Sequence, residues 1–470
     1  MSTDNQAEKR LYPGPEKTRD SLLAKLTIKP WIETTPQGLV FTNVYVVDPA
    51  KSTLLGGLQT VVVEDGKIQT VRASALDTSN KHHGLQVVDL KGAYISPGLI
   101  DCHVHVTAVP GVKTMVEAVR IPEEVIHYRS SYVLKEMLLR GFTTVRDTGG
   151  ATKPLAIAIA EGLILGPRLI QCGKAISQTG GHGDFSPGIS GGSGTGCCGG
   201  HSASLGRVAD GVPQVLKATR EELKAGADSY ISASSFIKIM VGGGVASETD
   251  AIETVQYSAE EIRAITTTCS QMGNRHTTAH AYTIEAIRHA VDNGVKGIEH
   301  GNLLDAETAR YMAAKGVYLT PTLSCYGIMA RPPFEDFLTP DGYVKNEQVM
   351  SQGVQALKIA EENGVTVCYG SDLLISMHAL QTEEFSVRAE VLPSPAILKH
   401  CTTNAARMLR MEGKIGTVSP GAFADLLILN SNPLEDITVL DRPEDHLLAV
   451  IKEGRVAMSL VAGLPKHEKL

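Results

Sequence analysis

The sequence predicts an α/β protein built as a (β/α)8 TIM barrel, with a small β-sandwich domain assembled from both flanks of the chain. Three features carry that expectation. Eight short apolar runs alternate with helical patterns between residues 96 and 411. β-type runs of one texture lie on either side of that stretch. Histidine, lysine and aspartate residues sit within or at the ends of those apolar runs, and such barrels carry their sites at the strand ends.

A chain of 470 residues accommodates a barrel of about 250 residues or more plus an accessory domain. Residues 1–37 read as a polar N-terminal arm containing the single tryptophan, Trp31. From Gly38 to residue 95 short strand patterns follow, GLVFTNVYVVD, LQTVVVEDGKIQTVRA and GLQVVDLKGAYI, with Asp65-Gly66 as a hairpin signal. The texture returns over 412–465 in KIGTVSPGAFADLLILN and HLLAVIKEGRVAMSL, where Glu453-Gly454 is a turn candidate. The flanks 38–95 and 412–465 are therefore expected to form one composite β-domain, and residues 96–411 the barrel.

Barrel strands are expected at Leu99–Val106, Thr143–Arg146, Arg168–Cys172, Phe236–Val241, His276–Ala281, Gly297–His300, Val317–Thr320 and Val365–Tyr369. Between them lie helical stretches such as SAEEIRAITTTCSQMG and TIEAIRHAVDNG, with Gly273 and Gly294 as C-terminal stops.

Composition narrows the partners. A hydrophobic share of 43% with 20% charged residues is that of a globular protein. The net charge of -7 is spread along the chain, which argues against nucleic acid or an anionic membrane and for a small-molecule substrate. Eight scattered cysteines without C-x-x-C spacing suit a reducing, cytoplasmic compartment. The opening MSTDNQAEKR has no apolar signal core, and no run offers the roughly 18 apolar residues that would span a bilayer.

The candidate site begins with SPGLIDCHVHV, where His103 and His105 leave an extended strand on one face. Lys238 interrupts the apolar FIKIMV, where a lysine must lose its proton, find an anion or be chemically changed. A carbamate formed with carbon dioxide would make it an anionic oxygen donor; a salt-bridged or snorkelling lysine is the structural alternative. His280 closes HTTAHAYT, His300 closes GIEHGN, and Asp372 follows CYGS, where it is a metal ligand or a helix N-cap. Together these side chains would converge on one mouth and hold two divalent ions about 3.5–4 Å apart, with zinc suited to the donors. Tyr282 shares a strand face with His280 and is placed to stabilise an oxyanion or simply to pack. His182 opens a segment in which ten of the residues 180–200 are glycine, either a surface loop or a mobile cover that brings His182 to substrate. The insertion ARPPFEDFLTPDGY is a second candidate wall.

The set His103, His105, Lys238, His280, His300 and Asp372 resembles the binuclear amidohydrolase superfamily, as does the closing ADLLILNSNPLEDI. Within it, SQTGGHGDF, FIKIMVGGG, AHAY and GIEHGN look most like the branch of ochratoxinase-like amidases and Xaa-Pro or Xaa-Arg dipeptidases. The resemblance implies that His103, His105 and Asp372 hold the more buried ion and His280 and His300 the second, with carbamylated Lys238 between them. It further implies a homo-oligomer that cleaves an amide by a metal-activated hydroxide, with Asp372 carrying the proton. Opening of a cyclic amide or lactone, metal-dependent decarboxylation, and a noncatalytic binding role stay open on this scaffold.

Overall fold

A computed structural model describes residue 31 and residues 38–74, 84–118, 120–184, 205–225, 236–247 and 250–464. The expected N-terminal arm, apart from Trp31, and the glycine-rich 185–204 lie outside the described residues. Trp31 donates its indole N–H to Glu161 at 3.3 Å. Among the described residues no helix is long and apolar enough to cross a membrane.

Strands β1 (Leu39–Asp48), β2 (Thr53–Leu54), β3 (Gln59–Glu64), β4 (Lys67–Ala73), β5 (Gln86–Asp89) and β6 (Tyr94–Pro97) come from the N-terminal flank. β17 (Leu426–Leu429), β18 (Leu447–Lys452) and β19 (Arg455–Ser459) come from the C-terminal flank. Strands of both flanks share one ladder: β17 pairs antiparallel with β6, in the order β19-β18-β17-β6-β1-β3-β4. The turns behave as their sequences require, since Asp65, Gly66, Glu453 and Gly454 all have positive φ. These two hairpin tips also meet, because a Cβ on Gly66 would lie 2.9 Å from the Glu453 carbonyl.

The ladder of this composite domain runs continuously through β1. A register shift between Phe41 and Val44, with Asn43 at φ 53°, divides β1 into a half pairing β3 and β5 and a half pairing β6. Phe41, Val61 and Ile68 from one half pack with Ile95, Leu426, Ile428 and Ile451 from the other in one buried cluster.

The central stretch forms two parallel sheets. β7 (Leu99–Val104), β8 (Phe142–Asp147) and β9 (Arg168–Gln171) make one. The other follows the order β11-β10-β12-β13-β14-β15-β16, from β10 (Ala175–Ser177), β11 (Gly206–Val208), β12 (Phe236–Met240), β13 (His276–Ala281), β14 (Gly297–His300), β15 (Tyr318–Thr320) and β16 (Thr366–Val367). All eight expected runs contain a strand. Backbone bonds outside the ladders tie β7 to the chain beyond β16, from Cys102 N–H to Tyr369 O at 2.8 Å and from Asp372 N–H to His103 O at 2.9 Å.

Connecting helices start where their caps dictate. Ser258 and Glu261 form a capping box on helix Ala259–Gln271, which ends before Gly273 at φ 100°. Thr283 caps helix Ile284–Asp292 through the Ala286 N–H, and Gly294 at φ 95° follows it. Crossing apolar residues of strands and helices, such as Ile237, Ile239, Ala279, Ile298, Ile265 and Ile287, fill the main core.

Candidate metal centre

β7 ends at Val104, two residues earlier than expected, so His103 is in the strand and His105 is just beyond it. A register shift between Asp101 and Val104 accompanies that end. Both imidazoles nevertheless reach one carboxylate, because Asp372 Oδ1 lies 3.3 Å from Nε2 of His103 and 3.3 Å from Nε2 of His105. Ligand atoms of these three residues all fall within 4.8 Å of one another.

Each imidazole is oriented through its other nitrogen. His103 Nδ1 donates to Glu299 Oε2 at 2.8 Å, and His105 Nδ1 to the Gly149 carbonyl at 3.0 Å. Those acceptors cannot donate, so Nδ1 carries a proton in each ring and Nε2 is the nitrogen turned toward Asp372. His280 is turned the other way: Nε2 donates to the Gly243 carbonyl at 3.0 Å, which leaves Nδ1 as the donor atom. His300 Nδ1 contacts Thr322 Oγ1 at 2.8 Å and lies 3.8 Å from Asp372 Oδ2. The rings form a contiguous group, with centroids 4.9 Å apart for His103 and His300 and 4.5 Å for His280 and His300.

Backbone conformation at two of these positions is unusual. His300 has φ 73° and Asp372 φ 52°, the left-handed region that favours glycine. Such strain concentrates at sites where the surrounding structure dictates side-chain direction. Asp372 is not a helix cap: the 3-10 helix that follows, Ile375–Leu380, is preceded by Leu374, and the Asp372 side chain faces the histidines.

Lys238 lies in the middle of β12 and is 2% exposed. Burial lowers its ammonium to about 8, against the opposing pull of Glu299 and Asp372. Burial also pushes the Asp372 carboxyl up, but His103 and His105 outweigh it and hold the group well below the usual carboxylate range. For Glu299 the opposing influences are Arg146, His103 and Lys238, and the net direction is again strongly downward.

Sequence reasoning missed the supports of this cluster. Glu299 accepts from Arg146 and Thr278 as well as His103, with Arg146 and Glu299 both fully buried. Asp101 accepts the backbone N–H of His103 at 3.1 Å, the Ser371 hydroxyl at 2.6 Å and Gln381 at 2.9 Å. The signal applied to Lys238, a charge inside a buried apolar strand, would have found Glu299 in GIEH and Arg146 in TTVRD.

Tyr282 stands beside the cluster, 4.9 Å from the His280 ring and 5.1 Å from His300, and its hydroxyl accepts from Tyr326 at 2.9 Å. His182 is brought to the cluster too, its ring stacked on His280 at 4.2 Å. The insertion after β15 contributes Phe337 and Leu338 to an apolar layer with Tyr282, Tyr326, Leu374 and Met377.

The donor set fits a divalent cation, because three lone-pair donors of imidazole and carboxylate type converge, each imidazole with its second nitrogen fixed. Residues 94–457 match the model of the amidohydrolase family. The chain belongs to the amidohydrolase family. Ochratoxinase from Aspergillus niger is 30% identical over 360 residues, covering 74% of this chain and 73% of that protein. A solved prolidase in complex with N-methylphosphonate-L-proline superposes with TM-score 0.82 at 40% identity, over 89% of this chain and 99% of that one. A Xaa-Pro dipeptidase with bound methionine gives TM-score 0.76 at 27% identity, over 89% and 99%. The motif resemblance to the ochratoxinase-like and dipeptidase-like branch is thus met, and this amidohydrolase is a hydrolase acting on carbon–nitrogen bonds.

Proposed function

We propose that this amidohydrolase cleaves a small amide, a dipeptide or N-acyl amino acid, with two divalent ions, zinc by donor type. His103, His105 and Asp372 would hold one ion and His280 and His300 the other, with carbamylated Lys238 between them. The observation that carries this reading is the convergence of Nε2 of His103 and of His105 on Asp372 Oδ1, at 3.3 Å each. Lys238 supports it: burial favours its neutral amine, the form that reacts with carbon dioxide.

When bound, such ions lower the pKa of water from 15.7 toward about 7 and polarise a carbonyl. The protein's own part is proton handling and placement. Asp372, kept ionised by its histidine neighbours, accepts a proton from the attacking water at a carboxylate oxygen and returns it to the leaving nitrogen. Tyr282, whose oxygen already accepts from Tyr326, keeps its own O–H for the developing oxyanion. His182 borders the substrate on the far side of His280. The apolar layer of Tyr326, Phe337, Leu374 and Met377 excludes water from that face.

The same reading takes the two parallel sheets as arcs of one (β/α)8 barrel over 96–411, supported by the backbone bonds from Cys102 to Tyr369 and from Asp372 to His103. The flanks 38–95 and 412–465 would be its sandwich-like accessory domain, with residues 1–37 as an arm. A cytoplasmic homo-oligomer completes the proposal, and the six cysteines among the described residues, all free and buried, suit a reducing compartment.

Elemental analysis of protein purified without chelator tests the metal reading. Two ions per native chain, fewer in Lys238→Ala, and partial rescue of the mutant by a short carboxylic acid are expected. Full metal content and full activity in Lys238→Ala would reject the bridging role. Product analysis against Xaa-Pro dipeptides, N-acyl amino acids and a lactone should yield free amine from the amides; ring-opened acid alone would reject amide cleavage.

A further inference from the structure

The loop after β12 grips His280 from two directions. The Gly243 carbonyl accepts the His280 Nε2 proton at 3.0 Å. The His182 ring lies almost flat against His280, with planes 20° apart, and is itself fixed by the same loop. His182 Nδ1 contacts Ser247 Oγ at 2.9 Å and lies 3.6 Å from Asp250 Oδ2, while Ser247 donates to Asp250. Gln256 bridges the two segments, accepting the His182 backbone N–H at 3.0 Å and donating to Asp250 at 3.0 Å. The glycines of VGGGVAS make this possible: a Cβ on Gly244 would lie 1.9 Å from the His182 ring, and one on Gly243 1.8 Å from the Ala251 carbonyl.

Glycine gives this loop little stiffness of its own. Its tie comes from elsewhere in the chain. Lys345, in the second turn of helix Pro340–Glu362, donates to the carbonyls of Asp250 at 2.6 Å, Ser247 at 2.8 Å and Gly244 at 3.4 Å. An ammonium has three protons, and all three are directed at this one loop. The helix begins within the insertion after β15, at Pro340. His103 and His105 are held by Glu299 and the Gly149 carbonyl, which lie outside the loop.

We propose that Lys345 is a positioning residue for the second cation: by clamping Gly244, Ser247 and Asp250 it fixes Gly243 O and His182 against His280, so that occupancy of that position alone depends on it. The inference rests on the binuclear reading. It makes the two cation positions unequal, with the His280 side the one released when the start of the helix shifts, and it links metal loading to the insertion after β15.

Zinc titration against a competing chelator, on the full chain with circular dichroism as a control for folding, tests it in Lys345→Met, Lys345→Arg and Gly244→Ala. Removing groups that orient a ligand typically weakens metal binding about 10–100-fold. Lys345→Met should therefore bind the second ion at least about 10-fold more weakly and the first unchanged, with Lys345→Arg intermediate. Gly244→Ala, which displaces His182 and leaves Lys345 intact, should do the same and carries the test if Lys345→Met does not fold. Wild-type affinity for both ions in the folded variants would overturn the proposal, as would equal weakening of both. A native chain that binds only one ion would overturn the binuclear reading, and this inference with it.

Discussion

Replacing Glu299 by glutamine preserves shape and removes one charge at the point where the protein core and the candidate metal centre meet. Glu299 is fully buried and accepts from Arg146, Thr278 and His103 Nδ1. Arg146 is equally buried, lies 4.3 Å over the Phe236 ring, and has the Cys102 carbonyl, 2.8 Å away, as its other oxygen partner. Removing one member of a buried ion pair costs about 3–5 kcal/mol, because the other charge is left uncompensated. The glutamine oxygen can still accept a neutral hydrogen bond, so the lower end, about 3 kcal/mol, is expected; that is roughly a hundredfold in the folding equilibrium at about 1.4 kcal/mol per decade. The same change deprives His103 of the anion that sets its tautomer, so metal affinity at His103, His105 and Asp372 should fall about 10–100-fold. Guanidinium unfolding of metal-free protein measures the first effect and chelator competition the second. A Glu299→Gln protein with the native unfolding midpoint and native metal affinity would refute both the buried charge and its orienting role.

Two further outcomes follow from the same geometry. Tyr282→Phe removes the hydroxyl beside His280 and His300, and loss of an oxyanion donor lowers kcat about 10²–10³-fold with KM little changed; steady-state kinetics with unchanged kcat would reduce Tyr282 to packing. His276, stacked on Phe236 with its Nε2 unpartnered, is held down to about 3 by burial, so it is neutral when folded but takes up a proton near 6.5 when unfolded. The unfolded chain therefore binds more protons between pH 6.5 and 3, and stability falls as pH drops through that window, by about 4 kcal/mol at its lower end. Denaturation midpoints measured against pH should lose that slope in His276→Phe; an unchanged slope would rule His276 out as its source.

Much of the fold was legible because its signals are local. The runs FIKIMV and HTTAHA coincide with β12 and β13, and Ser258, Gly273, Thr283 and Gly294 bound their helices as capping chemistry requires. The cluster of His103, His105 and Asp372 was legible for a similar reason: polar side chains at the ends of apolar strands are conspicuous. The supports were not. Arg146 meets Glu299 across 153 positions and Lys345 meets Ser247 across 98, distances over which neither periodicity nor turn chemistry carries information. The continuous ladder through β1 likewise depends on a register shift at Asn43, which alternation alone does not reveal.

By itself the sequence determined which segments are strands, where helices stop, and which side chains can donate lone pairs to a cation, since these depend on residues a few positions apart. Only the tertiary structure decided which nitrogen of His103, His105 and His280 is turned to a fixed acceptor, that Glu299 rather than solvent faces His103, and that a lysine on a distant helix holds the loop behind His280. Tautomer, charge state and ligand direction are set by partners in space, and those partners meet only once the strands have come together.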